Sequence, residues 1–307
     1  MINLTAADVL RLLSLDDCIA AVEEAFAAHG RGEVEAGVLS AHAPGGAFHI
    51  KTSILGSYFG AKANANFPSN PEQRGLPSIQ GVMLLFDAHD GRPLAVIDSI
   101  ELTALRTAAA TAVAAKHLAR GDAKSVTIVG CGKQGRVHLD AVTRVLPIRR
   151  AFAFDWERER ARSFARDMSE RLDMPVVALE SLDASDTDVW ITCTPSRTAF
   201  LRREHVKPGA LVAAVGADNP SKSEITSELM AASRVVTDVT GQCVEIGDLR
   251  HAIAEGAMRR EDVVAQLGEV VTGQRKVRRS DDDIVVFDST GAGFQDTAAA
   301  AVIYEHA

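Results

Sequence analysis

Apolar and polar positions in the first hundred residues predict helices followed by short strands. Residues 5–31 form two predicted helices, each opened by a capping hydroxyl residue, and the second ends in glycine. Asp90-Gly91 lies between two apolar stretches, which is typical of a hairpin. Helices followed by three or more strands indicate a compact α+β layer. The β-like runs cover residues 48–55, 58–67 and 81–98.

The pattern changes at Leu102. Residues 102–121 are rich in alanine and predict a helix that ends at Gly121. From residue 125 onward, short apolar strands alternate with helical segments, which predicts an α/β fold with a mostly parallel, doubly wound sheet. Residues 295–307 are again helical and apolar, and we expect them to dock on the first region. A domain boundary near residue 120 follows from this change of pattern.

Composition and charge exclude several classes of protein. The chain has 307 residues, 47% of them hydrophobic, and a net charge of -8, which argues against nucleic acid or an anionic membrane as partner. The four cysteines have no CxxC spacing, so the common zinc sites and a disulfide framework are not expected. A signal peptide and a membrane-length apolar run are also not apparent. We therefore expect a cytoplasmic protein without a metal site.

Residues 125–142 combine an apolar strand, a glycine turn and a helix start. Gly130, Gly132 and Gly135 would respectively permit a tight turn, the approach of a pyrophosphate, and close packing of helix on strand. A purely structural turn is the alternative. A second strand, however, ends in Asp155, near the offset expected for the acid that binds the ribose hydroxyls. The segment predicts a dinucleotide site, and this carboxylate favours NAD over NADP.

Two further loops follow strand ends, at the edge where parallel sheets bind ligands. Residues 193–196 follow one strand and residues 215–222 follow the next. Asp218 is the carboxylate in the turn of the second loop. It is either a functional group or an Asx turn or cap for a helix starting near Ser223. The residues of this loop leave both roles open.

Four polar side chains in the first region are candidate ligand contacts. Lys62 lies in a small, apolar β run, where it either faces outward or is buried with an anionic partner or a shifted pKa. Lys51 in the preceding run is a similar but weaker candidate. Arg106 is expected in the first turn of the alanine-rich helix, where an anion would bind both the guanidinium and free N–H groups. Ser78 adds a hydrogen-bonding group beside a proline turn.

Taken together, five stretches of the chain resemble the ornithine cyclodeaminase/μ-crystallin family. That family also contains archaeal-type alanine dehydrogenases and imino-acid reductases. The resemblance covers essentially the whole chain, and the stretch around Lys62 is more specific than the glycine motif. The stretches are GAKANANFPSN (60–70), residues 74–119, VGCGKQG (129–135), VGADNPSKSE (215–224) and FDSTGAGFQD (287–296).

The resemblance implies a domain organisation and a reaction. Residues 121–291 would be an NAD(P)-binding Rossmann domain inserted into a smaller α+β substrate and dimerisation domain of residues 1–120 and 292–307. The reaction would take place at an α-amino or α-imino acid, in a homodimer.

The resemblance also implies roles for single residues. By position in the motifs, Lys62 and Arg106 match the residues that hold the substrate carboxylate, Ser78 a polar contact, and Asp218 the acid/base. Many relatives carry an arginine where this chain has Lys51; lysine is a point donor, so no one relative's substrate is transferred. The predicted cofactor contacts are Gly130, Gly132, Lys133, Gln134, Gly135, Asp155, Thr194, Pro195, Ser196, Val215, Gly216 and Ser289.

These residues favour an oxidoreductase that transfers hydride between the nicotinamide and the α-carbon of a small amino or imino acid. Lys62 and Arg106 would hold the carboxylate, and Asp218 would exchange a proton with the nitrogen. We expect that burial against apolar strand ends and the nicotinamide would raise the pKa of Asp218. An ornithine cyclodeaminase with catalytic NAD uses the same residues and is the first alternative. A non-catalytic, μ-crystallin-like protein that binds a dinucleotide and a carboxylated ligand is the second.

Overall fold

The computed structural model describes residues 1–184 and 186–307, which divide into two compact units. The first unit contains residues 1–110 and 292–307, and the second contains residues 111–291. The strands are β1 (Ile2–Leu4), β2 (Glu35–Ala43), β3 (Gly46–Leu55), β4 (Tyr58–Asn66), β5 (Ile79–Asp87), β6 (Pro93–Asp98), β7 (Ser125–Val129), β8 (Arg150–Phe154), β9 (Val176–Ala178), β10 (Val189–Thr192), β11 (Leu211–Ala214), β12 (Arg234–Thr237), β13 (Ala265–Gln266) and β14 (Val285–Asp288).

The helices are spread over both units, and α4 contains the point at which the chain passes from the first to the second. They are α1 (Ala6–Leu12), α2 (Leu15–Gly30), α3 (Asn70–Arg74), α4 (Ser99–Leu118), α5 (Lys133–Val145), α6 (Arg158–Leu172), α7 (Ser227–Ala231), α8 (Thr240–Ile246), α9 (Asp248–Ala254), α10 (Leu267–Val271) and α11 (Gly293–Glu305). Within the described residues, no helix is long and apolar enough to cross a bilayer.

The first unit is built on a six-stranded sheet with the order β1-β6-β5-β4-β3-β2. β1 pairs with β6 in parallel, and the other neighbours pair antiparallel. The hairpin predicted at Asp90-Gly91 is present between β5 and β6, where Asp87 N donates to Arg92 O. This arrangement is the α+β layer that the sequence predicts.

Helix α11 packs on this sheet although it comes from the far end of the chain. It contacts α2, β3 and β4, and the ring of Phe294 lies edge-on to Phe26 at 5.3 Å between centroids. Gly60 on β4 permits this contact, because a Cβ there would lie 2.1 Å from Oγ1 of Thr297. The absence of a side chain at Gly60 therefore lets the helix lie against the strand.

Helix α4 begins earlier than its sequence suggests. Asp98 Oδ1 accepts hydrogen bonds from the backbone N–H groups of Ile100 and Glu101, each at 3.0 Å, so it caps a helix that starts at Ser99. The expected position of Arg106 in the first turn is therefore wrong. Arg106 lies about two turns into the helix, beyond the free N–H groups of its first turn.

The second unit contains a parallel sheet with the strand order β13-β12-β14-β11-β10-β7-β8-β9 among its described residues. Every pairing in this sheet is parallel. The chain proceeds outward from β7 to β9 and then returns to β10 on the other side of β7. The strand order therefore reverses between β7 and β10, and such switch points are where α/β sheets bind ligands. The predicted α/β, doubly wound fold is confirmed.

The central strands of this sheet are hidden on both faces. All residues of β7, β10, β11 and β14 are buried, as expected for a parallel sheet that helices cover on both sides. Their side chains join one hydrophobic cluster, which includes Val129, Trp190, Val212, Leu229, Val286 and Leu249. This rigid layer fixes the positions at which the strand-end loops begin.

Candidate functional site

Lys62 is buried in the first unit with a carboxylate as its partner. It lies on β4, only 3% of the residue is exposed, and its Nζ donates to Oδ1 of Asp296 at 2.7 Å. Nζ also donates to Oγ1 of Thr103 at 3.2 Å. The alternative of an outward-facing lysine is wrong. An ammonium group has three donors, and these two contacts use two of them.

Arg106 binds the same carboxylate from α4. Its Nε lies 2.7 Å from Oδ1 of Asp296, and its Nη1 donates to Oε1 of Gln295 at 2.8 Å. Both partners are at the start of α11, which the docking of this helix brings to the sheet. We call these five residues the Lys62 cluster: Lys62, Thr103, Arg106, Gln295 and Asp296.

The Lys62 cluster contains more positive than negative charge. Lys62 and Arg106 share one oxygen of Asp296, and Lys51 lies directly opposite Lys62 in the β3–β4 register. Burial, and then the Arg106 charge, lower the pKa of Lys62 to about 7. Burial alone would raise the pKa of Asp296, but the Arg106 and Lys62 charges hold it below its usual range. The carboxylate is therefore ionised and insufficient to balance its neighbours.

Three polar atoms of the cluster have no hydrogen-bond partner among the described residues. Oδ2 of Asp296 and Nε2 of Gln295 are buried and unpaired, and Nε of Arg106 lies close to Oδ1 of Asp296 without the geometry of a hydrogen bond. Buried polar atoms are nearly always paired in native proteins, and exceptions mark places where a ligand or water belongs. The cluster can therefore form hydrogen bonds with a further polar group.

Ser78 is the predicted contact with the least support in the first unit. It is half-buried just before β5, and its backbone oxygen accepts a hydrogen bond from Phe67 N at 2.8 Å. This bond ties the turn before β5 to the end of β4. The role of its hydroxyl toward a substrate stays a prediction.

In the second unit, the glycine turn of residues 130–135 follows β7 as predicted. Gly130 has φ +104°, and a Cβ at Gly135 would lie 2.3 Å from the Gly130 oxygen. Both positions therefore require glycine because of the backbone of the turn itself. Gly132 differs, because a Cβ there would meet nothing within 4 Å. Its lack of a side chain leaves open space at the start of α5, where Lys133 is exposed and Oε1 of Gln134 accepts no hydrogen bond among the described residues. These residues fit a dinucleotide phosphate.

Asp155 closes the other side of this turn. It follows β8, is 8% exposed, and its Oδ2 accepts a hydrogen bond from the backbone N–H of Cys131 at 3.0 Å. Oδ1 accepts from Glu157 N at 3.0 Å, and Arg160 lies 3.6 Å away. A carboxylate held in this way can still accept ribose hydroxyls, since each oxygen has a second lone pair.

The remaining predicted cofactor contacts lie at the carboxyl ends of neighbouring strands. Thr194, Pro195 and Ser196 follow β10, and Ser196 N donates to Oγ1 of Thr194 at 3.2 Å. Val215 and Gly216 follow β11, where Val215 N donates to the Thr192 backbone oxygen at 2.9 Å. Ser289 follows β14, and its hydroxyl donates to Asp238 at 2.9 Å.

Asp218 is exposed in the loop after β11. Half of its side chain is accessible, and its Oδ1 lies 2.8 Å from the Lys222 ammonium. The helix that follows, α7, begins at Ser227 and is capped by Thr226, so the interpretation of Asp218 as a cap for a helix near Ser223 is wrong. The residues of its own loop leave this carboxylate half-exposed, so they do not provide the predicted burial against apolar groups.

Several residues of these sites escape sequence reasoning. Asp296 and Gln295 lie in the quoted stretch 287–296, but their partners are far away in sequence, so only the docking of α11 reveals them. Glu224 is fully buried beside the strand-end loops, and the sequence shows it only as the last residue of the stretch 215–224. The signal for Glu224 in the sequence is an acidic residue two positions after the predicted loop of residues 215–222. Within the described residues, no group of three or more acidic, histidine or cysteine side chains could hold a metal ion.

Comparison with known proteins identifies the family. The family model described as "Ornithine cyclodeaminase/mu-crystallin family" matches residues 1–307. The chain belongs to the ornithine cyclodeaminase/μ-crystallin family. The resemblance noted from its motifs is confirmed over the full length, and the relatives of this family member are named as enzymes.

Three relatives illustrate how similar this member is to known proteins. Alanine dehydrogenase of Archaeoglobus fulgidus is 36% identical over an alignment of 307 positions, which covers 99% of this chain and 94% of that protein. A solved archaeal alanine dehydrogenase dimer with bound NAD superposes with a TM-score of 0.96 at 35% identity, covering 99% of this chain and 95% of that one. Thermococcus litoralis Δ1-pyrroline-2-carboxylate reductase, solved with NADH and L-proline, gives a TM-score of 0.94 at 30% identity, covering 100% and 97%.

Proposed function

We propose that this protein is an NAD-dependent oxidoreductase that acts on the α-carbon of a small amino or imino acid. Lys62 and Arg106 bind the substrate carboxylate, and Asp218 is the acid/base. The related alanine dehydrogenase and pyrroline-2-carboxylate reductase are named for reactions of this class. The proposal names the substrate by its carboxylate and its nitrogen and leaves the side chain open.

The observation that carries this proposal is the uneven charge of the Lys62 cluster. Lys62 and Arg106 are 3% and 5% exposed, and both contact the single oxygen Oδ1 of Asp296. Buried charge is costly unless it is paired, and here the two cations Lys62 and Arg106 share one carboxylate oxygen. A substrate carboxylate would supply the missing negative charge. It would also receive the remaining Nζ donor and guanidinium donors.

The second support is the fit of the glycine turn to a dinucleotide. Gly132 leaves open space at the first turn of α5, where backbone N–H groups can receive a phosphate. Asp155 stands at the end of the next strand and would repel a 2′-phosphate, which favours NAD over NADP. The related structures solved with NAD or NADH agree with this choice.

The residues of the chain have separate tasks in the reaction. Lys62 and Arg106 orient the substrate through its carboxylate and so fix the position of the α-carbon. Asp218 accepts a proton from the amino group as it becomes an imine, or donates one to the imine nitrogen in the opposite direction. Bound NAD supplies the hydride acceptor in oxidation, and NADH supplies the donor in reduction.

A substrate panel tests this assignment. The purified protein is mixed with NAD and amino acids, or with NADH and cyclic imino acids or oxo acids plus ammonia, and the nicotinamide absorbance is followed. Net oxidation or reduction that is lost in Lys62→Met and kept in the exposed Lys276→Met supports the proposal. Release of ammonia from ornithine with no net change in NADH would instead identify a cyclodeaminase. Cofactor binding without turnover on any substrate would identify a binding protein.

We also propose that the enzyme is a cytoplasmic homodimer. The solved archaeal relative is a dimer, and β2 exposes Val38 and Leu39 on opposite faces at the edge of its sheet. Exposed apolar edge strands usually have a partner, since they otherwise promote aggregation. All four cysteines are free, as expected in a reducing compartment. Light scattering should give the mass of a dimer for the parent and a smaller mass for Leu39→Lys; a monomeric parent would contradict the proposal.

A further inference from the structure

Glu224 is a fully buried carboxylate in the second unit that accepts four hydrogen bonds. Its Oε1 accepts from the backbone N–H and the hydroxyl of Thr194, at 2.6 and 2.7 Å. Its Oε2 accepts from the hydroxyl of Thr192 at 2.7 Å and the backbone N–H of Gly216 at 2.9 Å. All four donors are neutral, so the carboxylate is not simply half of an ion pair.

The four donors belong to two different strand ends. Thr192 and Thr194 are at the end of β10, and Gly216 is in the loop after β11 that also contains Asp218. Gly216 approaches so closely that a Cβ there would lie 2.5 Å from the Glu224 carboxylate. The carboxylate therefore fixes the separation of the loop at residues 193–196 from the loop at residues 215–218.

The backbone of Glu224 is itself held firmly. Its oxygen accepts hydrogen bonds from the N–H groups of Phe200 and Leu201, at 3.0 and 2.9 Å. Its N–H donates to Oδ1 of Asp248 at 2.8 Å, and Asp248 N in turn donates to Asp288 at the end of β14. The carboxylate thus projects from an anchored segment, which a flexible surface residue could not provide.

Burying a carboxylate at this position costs free energy, which indicates that the four hydrogen bonds it accepts are needed. Burial, and then the Asp248 charge, raise the pKa of Glu224 to about 7. The Cys193 thiol beside it has a pKa raised well above its usual value by burial, so it adds no charge at neutral pH. A glutamine would fit the same space, but its NH₂ group would face two of the four donors.

We propose that Glu224 is a positioning residue. It holds the two loops in the arrangement in which Asp218 can exchange a proton with the substrate and the Thr194–Ser196 segment can contact the cofactor. It acts through the loops and does not touch the substrate. This inference rests on the proposed function, because the importance of the arrangement comes from the role assigned to Asp218.

The test is Glu224→Gln, compared with Asp188→Asn as a matched control. Asp188 accepts from Lys124 N, Ser125 N and the Ser125 hydroxyl at 2.8–3.0 Å, at the amino ends of strands β7 and β10. Both substitutions replace a carboxylate that accepts several hydrogen bonds beside the same sheet, at opposite ends of its strands. Asp188 also pairs with Lys207 at 2.9 Å. Glu224→Gln should lower kcat about 100-fold, because a shift of about 1 Å at a catalytic group can cost that much. Asp188→Asn should lower the melting temperature and leave kcat unchanged.

The pH profile separates positioning from general structural damage. In the parent, kcat should fall below pH of about 7 as Glu224 gains a proton and loses acceptor capacity, and Glu224→Gln should lack this step. A variant with kcat close to that of the parent at each pH would overturn the inference, as would an equal loss of kcat in Asp188→Asn.

A second measurement keeps the two proposals distinguishable. If the parent turns over no amino or imino acid, the proposed function fails while the loop arrangement can still be measured. Amide hydrogen exchange in residues 193–196 and 215–218 should then be faster in Glu224→Gln than in the parent and in Asp188→Asn. Unchanged exchange in both loops would overturn the inference independently of any activity.

Discussion

The ammonium group of Lys62 lies 2.7 Å from Oδ1 of Asp296, and both side chains are almost completely buried. The same oxygen lies 2.7 Å from Nε of Arg106. Strand β4, helix α4 and helix α11 thus meet at one carboxylate, which stabilises the first unit and forms its candidate substrate site. The two properties can be tested separately.

Asp296→Asn should destabilise the protein strongly. Removing this charge leaves Lys62 and Arg106 buried without an anion, and the loss of one partner from a buried ion pair typically costs about 3–5 kcal/mol. Chemical denaturation measures the change in the free energy of unfolding. Glu305→Gln at the exposed end of the same helix is the control. Glu305 accepts a hydrogen bond from the Tyr58 hydroxyl at 2.9 Å, which a glutamine oxygen can also accept, so the effect should stay within about 0.5 kcal/mol. Equal stability of the parent and Asp296→Asn would mean that the ion cluster does not hold the helix.

The efficiency of the enzyme should fall as the pH rises above about 7. Burial and the Arg106 charge lower the pKa of Lys62 to about 7, so above this pH the free enzyme loses the charge that binds the substrate carboxylate. The ratio kcat/KM reports groups of the free enzyme and is the quantity to measure. Lys62→Arg keeps its charge throughout, so its profile should lack this fall. A fall of the same size in Lys62→Arg would assign the step to another group.

The parallel sheet can be predicted from the sequence because its central strands form the innermost layer of the second unit. β7, β10, β11 and β14 are buried on both faces, and such strands give apolar runs that no other element explains as well. The glycine turn is equally local, since Gly130 and Gly135 are required by contacts within a few residues. Features decided by neighbouring residues can therefore be predicted from the chain.

Two of the parts that fail depend on contacts between distant segments, whereas the start of α4 depends on one local capping residue. Helix α4 starts at Ser99 because Asp98 caps it, and placing its start at Leu102 put Arg106 in the wrong turn. The segment before α7 is extended because Leu201 forms a bridge with Ile225, so the helix near Ser223 that Asp218 would cap is absent. Asp296 becomes a partner of Lys62 only when α11 returns to β4.

Asp155→Ser should change the preference between the two dinucleotides. The carboxylate repels a 2′-phosphate and accepts ribose hydroxyls, and a hydrogen bond to a charged group contributes about 1.5–3 kcal/mol. NADH should therefore bind roughly 10- to 100-fold more weakly, while NADPH loses little or gains. Fluorescence titration gives both dissociation constants.

The ratio of the two constants is the informative quantity in this experiment. Asp155 also accepts a hydrogen bond from Cys131 N, so its loss can loosen the glycine turn and weaken both cofactors alike. A changed ratio isolates the effect of the charge from that loosening. Glu157→Gln, two residues further on and exposed, should leave the ratio unchanged. An unchanged ratio in Asp155→Ser would show that this carboxylate does not contact the ribose.

Asp218→Asn should remove turnover while leaving the cofactor bound. A positioned acid/base contributes about 10²- to 10⁴-fold to the rate, so kcat should fall by that factor, and the dissociation constant of NADH should stay the same. Because Asp218 is half-exposed and pairs with Lys222 at 2.8 Å, the substitution removes a surface ion pair, and its effect on the free energy of unfolding should stay within about 1 kcal/mol. Asp122→Asn is the matched control, since Asp122 is also exposed in the second unit and pairs with Arg120 at 2.8 Å.

Lys222→Met distinguishes loss of the proton carrier from loss of the ion pair. It breaks the same pair as Asp218→Asn but keeps the carboxylate, so its kcat should remain much closer to that of the parent. If both variants lost activity equally, the ion pair would be the important feature and Asp218 would act by shaping its loop. If neither lost activity, proton transfer at the substrate nitrogen would have to come from another residue. Only a selective loss in Asp218→Asn agrees with a carboxylate that exchanges the proton itself.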